Sequence, residues 1–252
     1  MSKYFNFPVE LLSGFINNTE KVLSNILDYC LAYYMQQYNE SLDEAAEYYK
    51  ISLGNPQATL RNGQALLSST TDKRLTGLNL QVFWDFHDHR KSGFDKVVLL
   101  AFLAAKSMIG SKQYYKLTCQ DMWLARMLGK PDNYTIHKED EIAAYCSRYK
   151  FTQVKVELQT SYKLVIYSYH TRGQYISTTL SVEQLAKIAE SRKQNYRHRQ
   201  LQSRARAAHE AARRVVEAEQ RAEEERLSNQ IAEDEQKIKE VWFGKQPEQR
   251  AN

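Results

Sequence analysis

Between residues 148 and 174 the chain gathers side chains of the kinds that bond to phosphates and base edges. Arg148, Lys150, Gln153 and Lys155 come first, and His170, Arg172 and Gln174 follow around the single glycine Gly173. Guanidinium and ammonium groups bond to phosphate oxygens and to guanine, and a glutamine amide matches the donor and acceptor of adenine. A second cationic group, Arg197, Arg199, Arg204 and Arg206, falls in a stretch rich in alanine and long-chain residues. Such a group suits phosphates without regard to sequence.

Other chemistry is harder to assemble. Asp85, His87, Asp88 and His89 are metal-ligand types, but histidines two apart point to opposite sides of a strand and about 200° apart on a helix. No metal is expected there. There is no phosphate-cradling glycine loop with its lysine, no H-E-x-x-H and no serine elbow. Seventeen tyrosines leave a tyrosine nucleophile open, yet the histidine trio of a metal-assisted nicking enzyme is missing. The chain therefore reads as a binding protein, not an enzyme, with neither a cofactor nor a small-molecule substrate.

The elements that must hold these groups can be read from period. Ser92 caps an apolar helix from Phe94 to Ile109. Thr118, with Asp121 behind it, caps a short helix whose buried stripe is Met122, Leu124, Ala125 and Leu128, with Trp123 and Met127 beside it. Gly129 and Pro131 end that helix. Ser147 then caps a second helix with Phe151, Val154 and Leu158 on one face and Arg148, Lys150, Gln153 and Lys155 on the other side. Two β-rich runs, Leu164 to Tyr169 and Tyr175 to Thr178, follow across Gly173, with His170, Arg172 and Gln174 at the tip. Helix, cationic helix and hairpin in that order are the layout of a winged helix-turn-helix, whose second helix enters a DNA major groove. The segment Lys130 to Cys146 is a long insertion between the two helices, with a helical turn expected at Lys138 to Tyr145.

The segments ARMLG, SRYKFTQVKVELQ and YSYHTRGQYIS resemble a winged-helix domain found in uncharacterised proteins of bacterial mobile elements, of plasmid or conjugative-transposon type. The resemblance covers about residues 75 to 200. It implies binding of double-stranded DNA through Arg148, Lys150, Gln153 and Lys155, with the wing at Arg172, and a part in replication or its control.

Charge is placed unevenly around that unit. Residues 1–90 carry seven basic and ten acidic groups, residues 91–185 thirteen and eight, and residues 186–252 fifteen and twelve. The net +5 thus sits where DNA would be met. Three cysteines without metal-ligand spacing, a start without a secretory leader and a longest apolar run of only Val97 to Ala105 point to a cytoplasmic protein that does not enter a membrane.

The expected fold is mainly α: an N-terminal helical region (1–76), a winged helix-turn-helix with a small hairpin wing (77–185) and a long charged C-terminal helix (186–252). In the first part, helices are expected over Val9 to Tyr38 and over Leu42 to Tyr49, the second opened by Ser41 with Glu44 three residues on. Gly54 to Thr76, with Asn55-Pro56 and Asn62-Gly63, reads as a loop or broken helix. The last helix, from Val182 to about Trp242, is expected to be interrupted or frayed near Ser228-Asn229. Leu201, Ala205, Ala208, Ala212 and Val215 form a small-residue heptad seam that breaks at Glu219, which leaves a homodimeric coiled coil open. The competing reading is a non-catalytic scaffold that uses the winged unit to contact protein and the last helix to oligomerise.

Overall fold

The structure, a computed structural model, describes residues 3–72, 74–110, 113–168 and 173–243. His170 and Arg172 lie outside the described residues. Among the described residues the chain is mainly helical, with two small antiparallel sheets and one long C-terminal helix. It divides into two bodies, Met1–Ala189 and Glu190–Asn252.

The first body begins with a strand that periodicity did not reveal. β1 (Tyr4–Pro8) turns Phe5 and Phe7 inward and Tyr4 and Asn6 outward. It pairs antiparallel with β2 (Leu75–Asn79), setting Phe5 opposite Leu78 and Phe7 opposite Thr76. In place of one helix from Val9, a 3-10 turn (Val9–Leu12) and a bend at Gly14 precede α1 (Thr19–Tyr38). α2 (Leu42–Tyr49) opens on the expected Ser41–Glu44 capping box.

The stretch after Gly54, expected as a loop or broken helix, holds one unbroken helix, α3 (Pro56–Ser69). Asn55-Pro56 is a helix start, not a turn: the Asn55 side chain accepts from the Ala58 amide, and Pro56 sits where no amide is needed. Asn62-Gly63 lies mid-helix because α3 crosses α1 there. A Cβ on Gly63 would stand 2.3 Å from the Asp28 carbonyl oxygen, so only glycine lets the helices approach so closely. Residues on both sides of 76 share one body. Thr76 Oγ1 donates to the Leu103 carbonyl at 2.8 Å and Lys106 Nζ to that of Gly77 at 2.7 Å, lacing β2 to a later helix of the same body.

α4 (Leu80–Asp88) buries Phe83 and Phe86. α5 (Gly93–Ile109), capped by the Ser92–Asp95 box, is buried at nearly every position from Val97 onward and forms the floor on which the rest is laid. β3 (Lys116–Thr118), α6 (Gln120–Met127), α7 (Arg148–Ser161), β4 (Val165–Tyr167) and β5 (Gln174–Ser177) come next along the chain. β5 is the middle strand, antiparallel to both neighbours, with Ile176 opposite Lys116 on one side and Ile166 on the other.

Thr118 is not the cap of α6. It ends β3, buried, with its hydroxyl 3.4 Å from the Met108 sulfur, and Cys119 takes the cap position without a side-chain bond. The buried stripe of α6 is correspondingly turned: Trp123 lies at its centre and Met122 is half-exposed.

α8 (Val182–Phe243) starts in the first body, where Leu185 and Ala189 are buried with Tyr175, and supplies the second. The break expected at Ser228-Asn229 does not occur. Neither residue removes an amide or clashes with the preceding turn as proline would, and local pairs such as Arg213–Glu217 and Arg214–Glu210 support the helix. Among the described residues no helix is long and apolar enough to cross a membrane.

Candidate nucleic-acid interface

α7 owes its orientation to aromatic packing. Phe151 meets the ring of Trp123 edge to face, with centroids 5.5 Å apart, and Trp123 Nε1 donates to the Ala101 carbonyl at 2.8 Å. Three helices are thereby fixed at one point, since α5 supplies the acceptor, α6 the indole and α7 the phenyl ring. Ser147 caps α7 through the Lys150 amide, and Gln120 Nε2 donates to the Cys146 carbonyl at 2.8 Å, tying the cap to α6.

With Phe151, Val154 and Leu158 fully buried, the 100° step of a helix decides what faces out. Tyr149 and Val156 stand opposite the buried stripe, exposed at 71% and 53%, with Thr152, Gln153 and Thr160 around them. The four side chains expected to form one surface are spread around this ridge. Gln153 lies on it and donates to the Tyr149 hydroxyl at 3.3 Å. Arg148 is exposed on one flank and Lys150 on the other. Neither makes an ion pair among the described residues.

Lys155 is turned toward the sheet. Half-buried, it lies over the Phe151 ring, and its Nζ stands 3.5 Å from Gln174 Oε1. Burial, and then the neighbouring Arg148 charge, hold its ammonium below the usual lysine range. Gln174 also departs from expectation. Instead of crowning the hairpin it lies within β5 opposite Thr118, only 5% exposed, because the added strand β3 covers it. Gly173 enters that strand at φ 113°, where a Cβ would stand 2.7 Å from the Thr118 carbonyl oxygen.

Sequence reasoning missed Tyr149, Thr152, Val156 and Thr160. The signal was available, because the stripe Phe151–Val154–Leu158 already implies its opposite face; charge was weighed above angle. The first turn of α7 carries two cations and no acid. Cations at a helix N-terminus oppose its dipole by about 0.3–1 kcal/mol each. Arg148 and Lys150 thus do nothing for the stability of the helix that bears them.

The insertion does not separate α6 from α7; it is strapped to the N-terminal part of the same body. Asp132 Oδ1 accepts from Arg126 Nε at 3.0 Å and from Arg74 Nη1 at 3.1 Å. The Glu141 carboxylate accepts from the backbone amides of Gly14, Ile16 and Asn17 at 2.9, 2.8 and 3.3 Å. The expected helical turn is confined to a 3-10 turn at Ala143–Tyr145.

On α8, Arg197, Arg199, Arg204 and Arg206 are exposed, and none forms an ion pair among the described residues. The histidines near residue 88 are occupied locally: His87 Nδ1 lies 2.7 Å from Asp88 and His89 Nδ1 3.4 Å from Asp85. Among the described residues no group of histidine, cysteine and carboxylate side chains is placed to hold a metal ion. Comparison with protein-family models, with curated proteins and with solved structures gives no match.

Proposed function

We propose that α5, β3, α6, α7, β4 and β5 form a winged helix-turn-helix that binds double-stranded DNA in replication or transcriptional control of a bacterial mobile element. α7 is the recognition helix, and the β4–β5 connection, which includes His170 and Arg172, is the wing. The observation that carries this reading is the outer surface of α7. It presents an aromatic ring, an amide, hydroxyls and a valine methyl on its crest, with Arg148 and Lys150 free on its flanks. Amide and hydroxyls suit base edges, the methyl suits thymine, and the flanking cations suit the two phosphate backbones that border a major groove. The order helix, strand, helix, helix, strand, strand supports the same reading. The basic stretch of α8 adds affinity that does not depend on sequence.

Selection of binding sites from a random pool of duplexes tests it. An enriched motif is expected, and Gln153→Ala should relax the preference at one position while Lys150→Ala weakens all sequences alike. Recovery of no motif, with weak binding that Gln153→Ala and Lys150→Ala leave untouched, would remove the recognition-helix assignment.

One observation favours the scaffold reading. Tyr33, Tyr38 and Tyr48 are exposed near the end of α1 and on α2, Tyr34 stacks on Tyr48 at 4.6 Å, and Glu40, Asp43, Glu44 and Glu47 are their neighbours in sequence. Tyrosines amid carboxylates suit a protein partner and repel phosphates.

A further inference from the structure

Beyond Ala189, α8 carries an apolar stripe that nothing in its own body covers. Leu201, Ala205, Ala208, Ala212 and Val216 succeed one another in steps of three and four, and Leu227, Ile231, Ile238 and Val241 continue the same line. Glu219, Glu223 and Asp234 fill the intervening places. Every large apolar member of the stripe is more than half exposed. Because these steps of three and four average about 3.6 residues, the period of an α-helix, both patches stay on one side of it. The line through Val216 also meets Glu219, where the seam through Val215 breaks, but resumes its apolar character at Leu227.

Charge divides along the same helix. From Ala186 to Arg214 there are nine basic and two acidic residues, and from Val215 to Phe243 four and nine. The ion pairs on α8 among the described residues are all between neighbours three or four apart, and of them Arg213–Glu217 alone crosses from one half to the other.

We propose that this stripe is covered by α8 of a second copy of the chain, running in the opposite direction. A parallel pair would lay the basic half on the basic half, whereas an antiparallel pair lays the basic half on the acidic one, except in a short acidic middle, 215–224, that meets itself. One register satisfies the stripe at the same time. With Leu201 opposite Ile238 of a second copy, Ala208 falls opposite Ile231 and Ala212 opposite Leu227, so small side chains meet large ones. On the flanks Arg204 comes level, within about half a turn, with Glu233, and Arg206 with Glu235. Ala205 opposite Asp234 and Val216 opposite Glu223 keep the pair weaker than a continuous leucine seam. A membrane is the poorer occupant, since the stripe is narrow and its second half is flanked by carboxylates. A polyanion is poorer still, for it has no use for leucine and isoleucine and is repelled by the acidic half. The inference uses α8 alone and stands whether or not α7 reads DNA. Arg192 and Arg199 lie on the far side of the helix from the seam and remain available to phosphates.

Sedimentation equilibrium of the full chain tests association. A concentration-dependent dimer is expected, weakened by salt and lost in Leu227→Asp/Ile231→Asp with circular dichroism unchanged. Arg204→Glu should weaken dimerisation about tenfold, because symmetry places the pair twice, and Glu233→Arg in the same chain should restore it. Direction is read separately by mixing full chains carrying Leu201→Cys or Ile238→Cys under mild oxidation and identifying linked peptides by mass spectrometry. A 201–238 link supports the antiparallel pair. A prevailing 201–201 link, a monomer at every concentration, or a dimer indifferent to the aspartates would overturn it.

Discussion

Replacing Arg148 and Lys150 by alanine should change how salt controls binding, and by an amount that can be worked out beforehand. Among the described residues, and leaving aside Arg204 and Arg206, which the antiparallel pair of α8 helices would occupy, the exposed cations without an ion-pair partner on α7 and on the basic stretch of α8 are Arg148, Lys150, Lys187, Arg192, Arg197 and Arg199; Lys155 is half-buried against Gln174 and does not count. If each neutralises one phosphate, the logarithm of affinity falls against the logarithm of salt with a slope of about −5.4, which is about a thousandfold between about 50 and about 200 mM. Without the α7 pair the slope becomes about −3.6 and the loss about a hundredfold over the same range. Fluorescence anisotropy of a labelled duplex at several salt concentrations measures both slopes. Stability should stay within about 0.5 kcal/mol, since both side chains are exposed and relief of the dipole acts in its favour. An unchanged slope in the double variant would show that α7 does not touch the phosphates, however tight the binding.

Three further outcomes rest on the packing. Trp123→Ala should cost about 3–5 kcal/mol in urea unfolding, and Trp123→Phe, which keeps an edge against Phe151 but loses the bond to Ala101, about 1 kcal/mol. Glu141→Ala strands the amides of Gly14, Ile16 and Asn17 and should cost about 1–3 kcal/mol; a variant as stable as the parent would show that water satisfies them equally well. Burial raises the Asp28 carboxyl above its ordinary value, against the lowering hydrogen bonds from Asn62 and Thr59. The folded state therefore holds this proton more tightly than the unfolded chain, and its contribution, present at acidic pH, is lost as pH rises through the folded value. Asp28→Asn should remove that loss, raising thermal stability at neutral pH relative to the parent, with the gap closing at acidic pH; a gap of constant size would refute the assignment.

Local signals carried much of the architecture. Ser41, Ser92 and Ser147 announce helix starts because a short hydroxyl beside free amides acts within one turn, and all three cap the helices expected of them. The length of α8 was legible for a similar reason, since a long run without proline has few alternatives. β1 and β2 were not legible, because their evidence is mutual: Phe5 has its strand partner in Leu78, far along the chain. Gly63 misled for the same reason, its meaning lying in the Asp28 carbonyl of another helix. Asn55-Pro56 is ambiguous in principle, since the same pair opens a turn or a helix according to the residues after it.

The candidate site shows the same division between type and direction. Which side chains could meet a nucleic acid was readable as chemistry, but where each one points depended on Trp123 and on β3, which turn α7 and cover Gln174. On the proposed reading this redistribution separates two tasks that the sequence had merged. The crest of α7, with Tyr149, Thr152, Gln153 and Val156, is nearly uncharged and can discriminate bases, while Arg148, Lys150 and the arginines of α8 supply attraction common to all sequences. A protein built so would find DNA by salt-sensitive contacts and choose its site by salt-insensitive ones. The ratio of specific to nonspecific affinity should then change little with salt while each affinity falls steeply. If the ratio instead collapses along with the affinities, the cations themselves read the sequence and the division between crest and flanks is mistaken.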